Sequence, residues 1–319
     1  MAHIRALAPH IEQQVVVWDG KPDALHLLDE EFQLYAPASN GFSAKWRQLR
    51  ALVSEFTPHI VHVHGGGKDS ALTFLLLHML HGSRIKRIVT EHQSQWATAP
   101  DPGAIWTLRL AHVRTAVSPW LARLMQPFSA GSQMHVIPNV LMAPTLPLER
   151  SEATHRRFLW VGDLVAVKGL QQLLEAWAEH HTGHPNDTLT LVGGTGKAGL
   201  HADHLPKGAT YVGPATPEEV HTRMLHHDIL VVNSLRETFS MVIGEALERG
   251  MSVLCTPIPG PHSVYGEAGI TYRNDHSVED LIAHLAKAEK WNDAPQRLDA
   301  FRAESVTKAF LDHYAPAGK

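Results

Sequence analysis

The chain has little cysteine: Cys255 is the only one among its 319 residues. With no second thiol there is no internal disulfide, and this composition suits a reducing compartment. The opening segment, MAHIRALAPHIEQQ, also lacks the apolar core of a secretory signal. We therefore expect the protein to act in the cytoplasm.

Long apolar runs and strong charge are also absent. The longest apolar stretch, ALTFLLLHML at 71–80, falls short of the ~20 residues that span a bilayer, so it predicts a buried helix. A formal net charge of -4 argues against a nucleic-acid partner. Two basic patches, KWRQLR at 45–50 and RIKR at 84–87, either contact anionic lipid at a membrane surface or lie on solvated helix faces.

Histidine is abundant, with 24 residues, but its pattern does not predict a metal site. The segment HHTGH at 180–184 is expected in a loop, with no cysteine or carboxylate partner at ligand spacing. His62 and His64 alternate onto one face of a predicted strand. They are either satisfied core histidines or, for the one at the strand end, a residue facing a ligand cleft.

Short apolar runs alternate with amphipathic segments along the whole chain, which predicts an α/β fold with parallel sheets wrapped by helices. A proline-rich stretch near mid-chain predicts a linker between two doubly wound domains. Ligands of such sheets bind outside the carboxyl ends of the strands, so two facing domains would form a cleft. The predicted boundaries are an N-terminal domain at 1–140, a linker at 141–155, a C-terminal domain at 156–300 and a helix at 301–319 that packs back on the N-terminal domain.

Two glycine motifs suggest other functions. HGGG at 64–67 resembles the oxyanion-hole turn of lipase-like hydrolases, but the nearest approach to their G-x-S-x-G elbow, GFSAK at 41–45, lacks the closing glycine. G-x-G-x-x-G at 194–199 follows a predicted strand, as in dinucleotide-binding proteins. That fingerprint should open a long helix, whereas Pro206 follows closely. A nicotinamide oxidoreductase remains an alternative, and so does a turn whose amides approach a phosphate.

The segment VVNSLRETFSMVIGEALERG at 231–250 carries two carboxylates, Glu237 and Glu245, eight positions apart. We expect a strand to end at Ser234 and the following turn to carry Glu237. A helix is then expected to begin with Ser240 as its N-cap and to end at Gly250. A helix amino end favours an anion such as a phosphate. Flanking acids would repel it unless they accept hydrogen bonds from hydroxyls of the same ligand. Sugar nucleotides, with phosphates between two polyols, meet this requirement.

The same segment, extended to DILVVNSLRETFSMVIGEALERGMSVLCTPIPG, resembles the donor site of the family-four retaining glycosyltransferases, which have the GT-B fold. The resemblance covers nearly the whole chain. It includes HIVHVHG, RIVTEHQ, TAVSPWLARLM and HVIPNV in the first half and RFLWVGDLVAVKG and LTLVGGTG in the second. It implies two Rossmann-like domains that face each other across a cleft, an acceptor-side domain first and a nucleotide-sugar donor domain second.

The resemblance also implies roles for individual residues. Glu237 would contact hydroxyls of the transferred sugar and Glu245 the ribose of the nucleotide, while Lys168 would neutralise the diphosphate. Backbone amides at Phe239 and Ser240 would bind the same diphosphate.

His92, at the end of RIVTEH, matches the histidine that faces the sugar from the acceptor domain. The implied catalytic residues are thus Glu237, His92 and Lys168. The implied donor-binding residues are Glu245, Phe239, Ser240, Gly162, Lys197, Gly194 and Thr238.

The implied reaction is direct transfer with retained anomeric configuration, in which the leaving diphosphate helps to deprotonate the acceptor. Cations and amide dipoles placed at the diphosphate stabilise the charge that builds there. No metal or other cofactor is expected, and the sequence has no D-x-D pair of the metal-dependent transferases. The expected partners are a nucleotide-sugar donor and a glycan, lipid-linked or small hydroxyl acceptor, in bacterial-type polysaccharide biosynthesis.

Two departures from the family pattern leave an inactive nucleotide- or glycan-binding protein of this fold as the alternative. Asp163 occupies the position at which the family usually has an arginine, and we expect Lys197 or Arg236 to restore the charge. The chain also begins within the helix that normally follows the first strand and glycine-rich loop. Either the true start lies upstream, or the sheet is rebuilt, or the copy is inactive.

Overall fold

The computed structural model describes residues 2–16, 34–35, 41–142, 153–194, 205–291 and 298–314. The chain divides into two compact units: unit 1 comprises Met1–Val140 with Ala303–Lys319, and unit 2 comprises Leu141–Arg302. Most of the predicted linker, residues 143–152, lies outside the described residues.

Unit 1 contains parallel strands only among its described residues. A two-stranded pair and a four-stranded sheet in the order β3-β4-β5-β6 are present. The apolar segments that predicted strands coincide with these elements, which confirms the α/β prediction for this half. The strands are β1 (Val15–Val16), β2 (Leu34–Tyr35), β3 (Ile60–His64), β4 (Lys86–Glu91), β5 (Val113–Ala116) and β6 (His135–Val136).

Within the described part of unit 1, five helices precede or connect the strands: α1 (Ala2–Leu7), α2 (Phe42–Phe56), α3 (Lys68–His81), α4 (Pro102–Leu110) and α5 (Pro119–Met125). Helices α4 and α5 begin with proline after a capping side chain, Asp101 and Ser118, each of which accepts a backbone N–H from the first turn. The expectation of a buried helix at 71–80 is wrong in part. Phe74 and Leu77 of α3 are buried, but Met79 is 70% exposed, because only one face of α3 packs on the unit.

Unit 2 is built on a six-stranded parallel sheet in the order β12-β11-β10-β7-β8-β9. Its strands are β7 (Arg157–Val161), β8 (Thr188–Val192), β9 (Ala209–Tyr211), β10 (Ile229–Val232), β11 (Ser252–Cys255) and β12 (Ile270–Tyr272). All four residues of β10 are buried, as expected for a central strand covered on both faces. This order, which reverses at β7 and β10, is that of a doubly wound sheet and confirms the predicted class.

The helices of unit 2 are α6 (Leu170–Gly183), α7 (Pro217–Leu225), α8 (Met241–Leu247), α9 (Pro259–Tyr265) and α10 (Val278–Lys287). Trp160, Trp177 and Phe158 lie at the centre of the core between sheet and helices. The last helix, α11 (Ala303–Tyr314), belongs to unit 1 and packs on α1 through Phe310.

The interpretation of HHTGH at 180–184 as a loop is wrong, because its first four residues continue α6. The helix ends where His184 leaves helical geometry, and the chain then turns back into β8. This reversal brings Asp187 to 3.1 Å from Nε2 of His180, so a carboxylate partner exists that spacing along the chain did not reveal.

Among the helices that the structure describes, none combines the length and the apolar character that crossing a bilayer requires.

Candidate donor site

The carboxyl end of β10 places an acid beside a lysine. Two buried polar residues, Asn233 and Ser234, follow the strand. Ser234 Oγ donates to Glu237 Oε1 over 2.9 Å, and Nζ of Lys168 lies 2.6 Å from the same oxygen. Both charged side chains remain partly open to solvent, at 28% for the lysine and 14% for the glutamate. The structure therefore brings two of the predicted catalytic residues into direct contact.

The turn that carries Lys168 is fixed to the end of β10. Lys168 closes a 3-10 turn, and the next residue, Gly169, has a φ of 65°. A Cβ on that glycine would lie 1.9 Å from the carbonyl oxygen of Asn233, so no other residue fits. The Asn233 amide donates to the Gly169 carbonyl over 2.7 Å and accepts from the buried guanidinium of Arg273. This chain of contacts sets the position of the lysine.

The backbone between Glu237 and α8 takes an unusual conformation. Ser240 precedes the helix as predicted, but its φ of 62° is left-handed and its side chain makes no capping bond. The predicted side-chain cap is therefore wrong, since this conformation turns the hydroxyl away from the helix amides. In the described part of the chain the buried Ser240 Oγ has no hydrogen-bond partner. A strained residue with an unpaired hydroxyl at a helix start is typical of a ligand site.

Aromatic side chains pack around the segment between Glu237 and α8. Phe239 is buried, and its ring lies edge-on to Tyr265 and Phe301, each with centroids 5.5 Å away. The Tyr265 hydroxyl donates to the carbonyl of Ser240 over 3.1 Å. Thr238 is half-buried beside them. The predicted binding groups of Phe239 and Ser240 are their backbone amides, and the buried ring of Phe239 holds that backbone in place.

Glu245 lies on α8, away from the lysine contact. Its Oε1 is 3.7 Å from Nε2 of His221 on α7, and the glutamate side chain is 18% exposed. Nε2 of His221 is buried without a hydrogen-bond partner among the described residues. Gly250 has the left-handed φ of 69° predicted for the residue that stops this segment. An imidazole beside Glu245 is a feature that the sequence pattern did not reveal.

The glycines after β7 and β8 pack against each other. A Cβ on Gly193 would lie 1.7 Å from the carbonyl oxygen of Gly162, which excludes any side chain there. Gly194 accepts from the amide of Leu164 over 3.1 Å. Gly162 also adjoins Lys168, whose Cδ lies 3.7 Å from the position of a Cβ on that glycine.

Three further residues of the predicted site concern its charge. Asp163, which replaces the usual arginine, is exposed beside the Gly194 turn. Arg236 is also exposed. Lys197, predicted to restore the missing charge, lies outside the described residues.

His92, the third predicted catalytic residue, lies in unit 1 immediately after β4. Its Nε2 is 3.1 Å from Nδ1 of His64, and burial lowers the pKa of His92 to about 4. The two histidines of β3 differ in environment. Both ring nitrogens of His62 are paired, with Tyr314 and Thr90, as in a satisfied core histidine, whereas His64 lies at the exposed strand end.

Sequence reasoning missed several residues that shape the site: Ser234, Asn233, Arg273, His221 and Gly260. Polar residues directly after an apolar strand, such as the NS pair, are a signal that could have identified the first two. Gly260, in the segment IPGPH, is needed because a Cβ there would lie 2.1 Å from the carbonyl oxygen of Glu237. Burial raises the pKa of the neighbouring Cys255 thiol to about 12, and the negative charge of Glu237 adds to that shift.

Two family models cover nearly the whole chain. One described as Glycosyl transferases group 1 matches residues 149–303, and one described as Glycosyltransferase Family 4 matches residues 3–141. No match was found among curated protein sequences.

Solved structures with the same architecture span most of both chains compared. Sucrose-phosphate synthase from Thermosynechococcus elongatus is similar at 19% identity with a TM-score of 0.68, over 88% of this chain and 80% of that one. The lipopolysaccharide outer core galactosyltransferase WaaB is similar at 17% identity with a TM-score of 0.71, over 96% of this chain and 90% of that one. HepE from Anabaena, in complex with UDP and glucose, is similar at 13% identity with a TM-score of 0.75, over 98% of this chain and 94% of that one.

These likenesses establish the fold class: the protein is an α/β protein of the GT-B type. Together with the two family models they show that the chain belongs to the family-4-like GT-B glycosyltransferases.

Proposed function

We propose that this glycosyltransferase transfers a sugar from a nucleotide diphosphate sugar to a hydroxyl acceptor with retention of configuration. The bond between the anomeric carbon and the diphosphate oxygen breaks, and the acceptor oxygen bonds to the same face of that carbon. The acceptor proton goes to the departing diphosphate. Negative charge on the diphosphate increases during this step, so a positive group fixed beside it lowers the barrier.

The contact between Lys168 and Glu237 is the observation that carries this proposal. The lysine is the cation for the diphosphate, and the carboxylate is the acceptor for the sugar hydroxyls. Their separation of 2.6 Å supports a position for both side chains at the junction between sugar and diphosphate, the bond that must break. The unpaired Ser240 hydroxyl and the amides around it supply further donors for the phosphates.

Glu245 is proposed to bind the ribose of the nucleotide. A carboxylate accepts bidentate hydrogen bonds from vicinal hydroxyls, as in other α/β nucleotide sites. The adjoining His221 would hold the carboxylate in position. The contact of His92 with the transferred sugar, implied by the resemblance, stays a prediction.

Calorimetry with UDP and GDP, followed by a panel of radiolabelled sugar nucleotides, tests the proposal. Lys168→Ala should weaken diphosphate binding, whereas Glu237→Gln should leave it and abolish sugar release. Lys287→Ala and Glu279→Gln, at exposed positions of α10, are matched controls for charge. Nucleotide binding that Lys168→Ala does not change would contradict the assignment, as would tight binding of NAD in place of the diphosphates.

Metal independence and retention are separate parts of the proposal. Activity in the presence of a chelator should equal activity without it, since Lys168 and backbone amides serve the diphosphate. Nuclear magnetic resonance of the product, through the coupling constant of the anomeric proton, should show the configuration of the donor sugar. Loss of activity on chelation, or an inverted product, would refute the corresponding part.

The exposed Asp163 favours one alternative: a protein that binds a nucleotide or glycan without transfer. An acid near the diphosphate weakens donor binding and raises the barrier. Slow hydrolysis of a bound sugar nucleotide without acceptor distinguishes the two. Hydrolysis that is lost in Glu237→Gln supports the enzyme, and binding with no turnover of any donor supports the alternative.

We propose a glycan, a glycolipid or a small hydroxyl compound as acceptor, a role in polysaccharide biosynthesis, and action in the cytoplasm at the inner face of the membrane. No nucleic-acid partner is proposed, in keeping with the net charge of -4. Of the predicted basic patches, Lys45 pairs with Asp69 and Arg87 is buried. The exposed apolar side chains of α3 and α4 offer a better membrane contact.

A further inference from the structure

Unit 1 holds four histidines in mutual contact, contributed by α1, β3 and the residue after β4: His3, His62, His64 and His92 (the histidine cluster). The rings of His62 and His64 stack with centroids 4.3 Å apart, and those of His3 and His64 lie 5.9 Å apart. His62 has both nitrogens paired within the protein. The other three therefore decide what the cluster can bind.

His3, His64 and His92 each direct one ring nitrogen toward the others. The three nitrogens lie within 4.8 Å of one another. Nδ1 of His64 and Nε2 of His92 are 3.1 Å apart. Three nitrogen ligands of a zinc ion, each about 2.1 Å from the metal, are about 3.4 Å apart. Adjustments of about 1.5 Å or less, within the reach of side-chain rotation, bring the three nitrogens to that separation.

Hydrogen bonds to neighbouring groups orient two of the three rings. Nε2 of His3 lies 3.2 Å from the carbonyl oxygen of Pro138, which accepts the N–H of that nitrogen. The lone pair of Nδ1 is then the one that can bind a metal ion. The ring of His92 hydrogen bonds to the side chain of Asn139. The carbonyl acceptor on the far nitrogen of His3 is the usual second-shell arrangement of a metal-binding histidine.

A buried carboxylate fixes the loops that carry two of these rings. Glu91 Oε1 accepts the backbone amides of His92 and Gln93 at 3.0 and 3.1 Å, and its Oε2 accepts that of Gly66 at 2.9 Å. The loop after β3, which follows His64, is thus joined to the loop that carries His92. Because its oxygens serve these amides, Glu91 acts as a support and not as a ligand.

We propose that His3, His64 and His92 form a binding site for a divalent transition-metal ion of the zinc type. Three imidazoles without a carboxylate select zinc, cobalt, nickel or copper over magnesium or calcium. Three protein ligands leave a fourth position for water or another ligand. The site lies within unit 1 and includes His92, which the family resemblance assigns to the transferred sugar, so a metal ion bound there would take the place of that sugar contact.

Titration of the full chain with cobalt(II) tests this site, because four-coordinate cobalt has intense visible absorption bands that octahedral cobalt lacks. We expect one equivalent to bind with that spectrum and zinc to displace it. His64→Ala should weaken cobalt binding at least about 10-fold and abolish the bands, since even second-shell losses cost that much. His64 lies at an exposed strand end, so this variant is expected to fold.

A matched control is needed because the chain has 24 histidines, and any exposed imidazole can bind a metal ion weakly. His184→Ala alters the other closely stacked pair, His180 and His184 of unit 2, whose ring centroids are 4.4 Å apart. It should leave the cobalt spectrum unchanged. His92→Asn, measured for binding only, is a second variant should circular dichroism show that His64→Ala is misfolded. Absence of a four-coordinate spectrum in the unaltered chain, or equal binding by all variants, would overturn the proposal.

Discussion

Lys168 Nζ lies 2.6 Å from Oε1 of Glu237, although the two residues are 69 positions apart in the chain. The lysine closes the turn after β7 and the glutamate follows β10, and these strands are neighbours in the sheet. The same carboxylate oxygen also accepts from Ser234. A nucleotide diphosphate that enters the site must therefore share or replace the acid as the partner of the lysine.

The first prediction concerns the replacement of Glu237 by a diphosphate as the partner of Lys168. Lys168→Ala should weaken UDP or GDP binding about 10- to 100-fold, the loss expected for one charge-assisted hydrogen bond. Glu237→Gln removes the competing negative charge, so nucleoside diphosphate should bind as tightly as before or a few-fold tighter. Calorimetry on both variants measures the two effects. Equal weakening in both would mean that the pair acts only as a structural ion pair.

The second prediction concerns Gly260, whose backbone packs against the loop that carries Glu237. A Cβ there would lie 2.1 Å from the carbonyl oxygen of Glu237 and 2.9 Å from that of Thr238, and neither backbone atom can yield without moving the loop. Gly260→Ala should lower the free energy of unfolding by roughly 1–3 kcal/mol. It should also weaken nucleotide binding, because the loop that carries Glu237 moves. Thermal unfolding measures the stability, and calorimetric titration measures the nucleotide affinity.

Gly183→Ala is the control for that substitution. Gly183 ends α6, its φ is negative, and a Cβ there meets nothing within 4 Å. We expect unchanged nucleotide binding and equal or higher stability, as for alanine in a helix. If Gly260→Ala behaved like Gly183→Ala, the close packing of α9 on the loop would have no role in binding.

Much of the fold was predictable because both faces of its central parallel strands, such as β10, are buried. Runs such as ILVV at 229–232 read as continuous apolar segments, and helical periodicity marks the segments between them. The exceptions are local. The prediction of a loop for HHTGH at 180–184 is wrong, because packing of His180 against Trp177 and Phe158 extends α6 through Gly183.

The sequence predicts which segment carries the candidate site, but not the contacts that its residues make. The spacing of Glu237 and Glu245 marked the β10 to α8 segment, yet periodicity carries no information on partners from distant strands, such as Lys168 or Arg273. The left-handed Ser240 was also beyond prediction, since this conformation is rare for serine and is imposed by tertiary packing. The resemblance to a family therefore supplied residue roles that the pattern alone could not.

The buried His180 gives a prediction for pH dependence. Burial lowers the pKa of His180 to about 4, and the partner Asp187 offsets this only in part. Because the unfolded state binds a proton near pH 6.5 and the folded state does not, stability falls as the pH drops from 6.5 toward 4. From pH 7 to 5 the loss from this residue is at most about 2 kcal/mol.

His180→Gln keeps a hydrogen-bond donor near Asp187 but removes the titration. Urea unfolding at pH 7 and at pH 5 should show a smaller loss of stability in this variant than in the unaltered chain. His284→Gln, at a half-exposed position of α10, is the control. An identical pH dependence in the unaltered chain and in His180→Gln would show that His180 does not account for the effect.

The last prediction concerns the exposed apolar side chains of unit 1. Helices α3 and α4 run side by side in the same direction, because Gly103 packs against Lys68 at one end and the Arg87 guanidinium bridges the carbonyls of Gly82 and Leu110 at the other. Met79 of α3 is 70% exposed, and Trp106 of α4 is 57% exposed. Apolar side chains of this kind, with nearby arginines, favour the surface of an anionic bilayer.

Trp106→Ser with Met79→Ser should reduce sedimentation with vesicles of anionic lipid several-fold and leave nucleotide binding unchanged. Arg109, whose guanidinium lies 6.0 Å from the Trp106 ring centroid, should contribute a salt-sensitive part, so Arg109→Gln should lose binding mainly at low ionic strength. Leu235→Ser, at an exposed apolar position of unit 2, controls for surface hydrophobicity in general. Equal sedimentation of all variants would contradict this prediction and would leave the exposed arginines of the two basic patches, Arg47, Arg50 and Arg84, as the membrane contact, because Lys45 and Arg87 are buried.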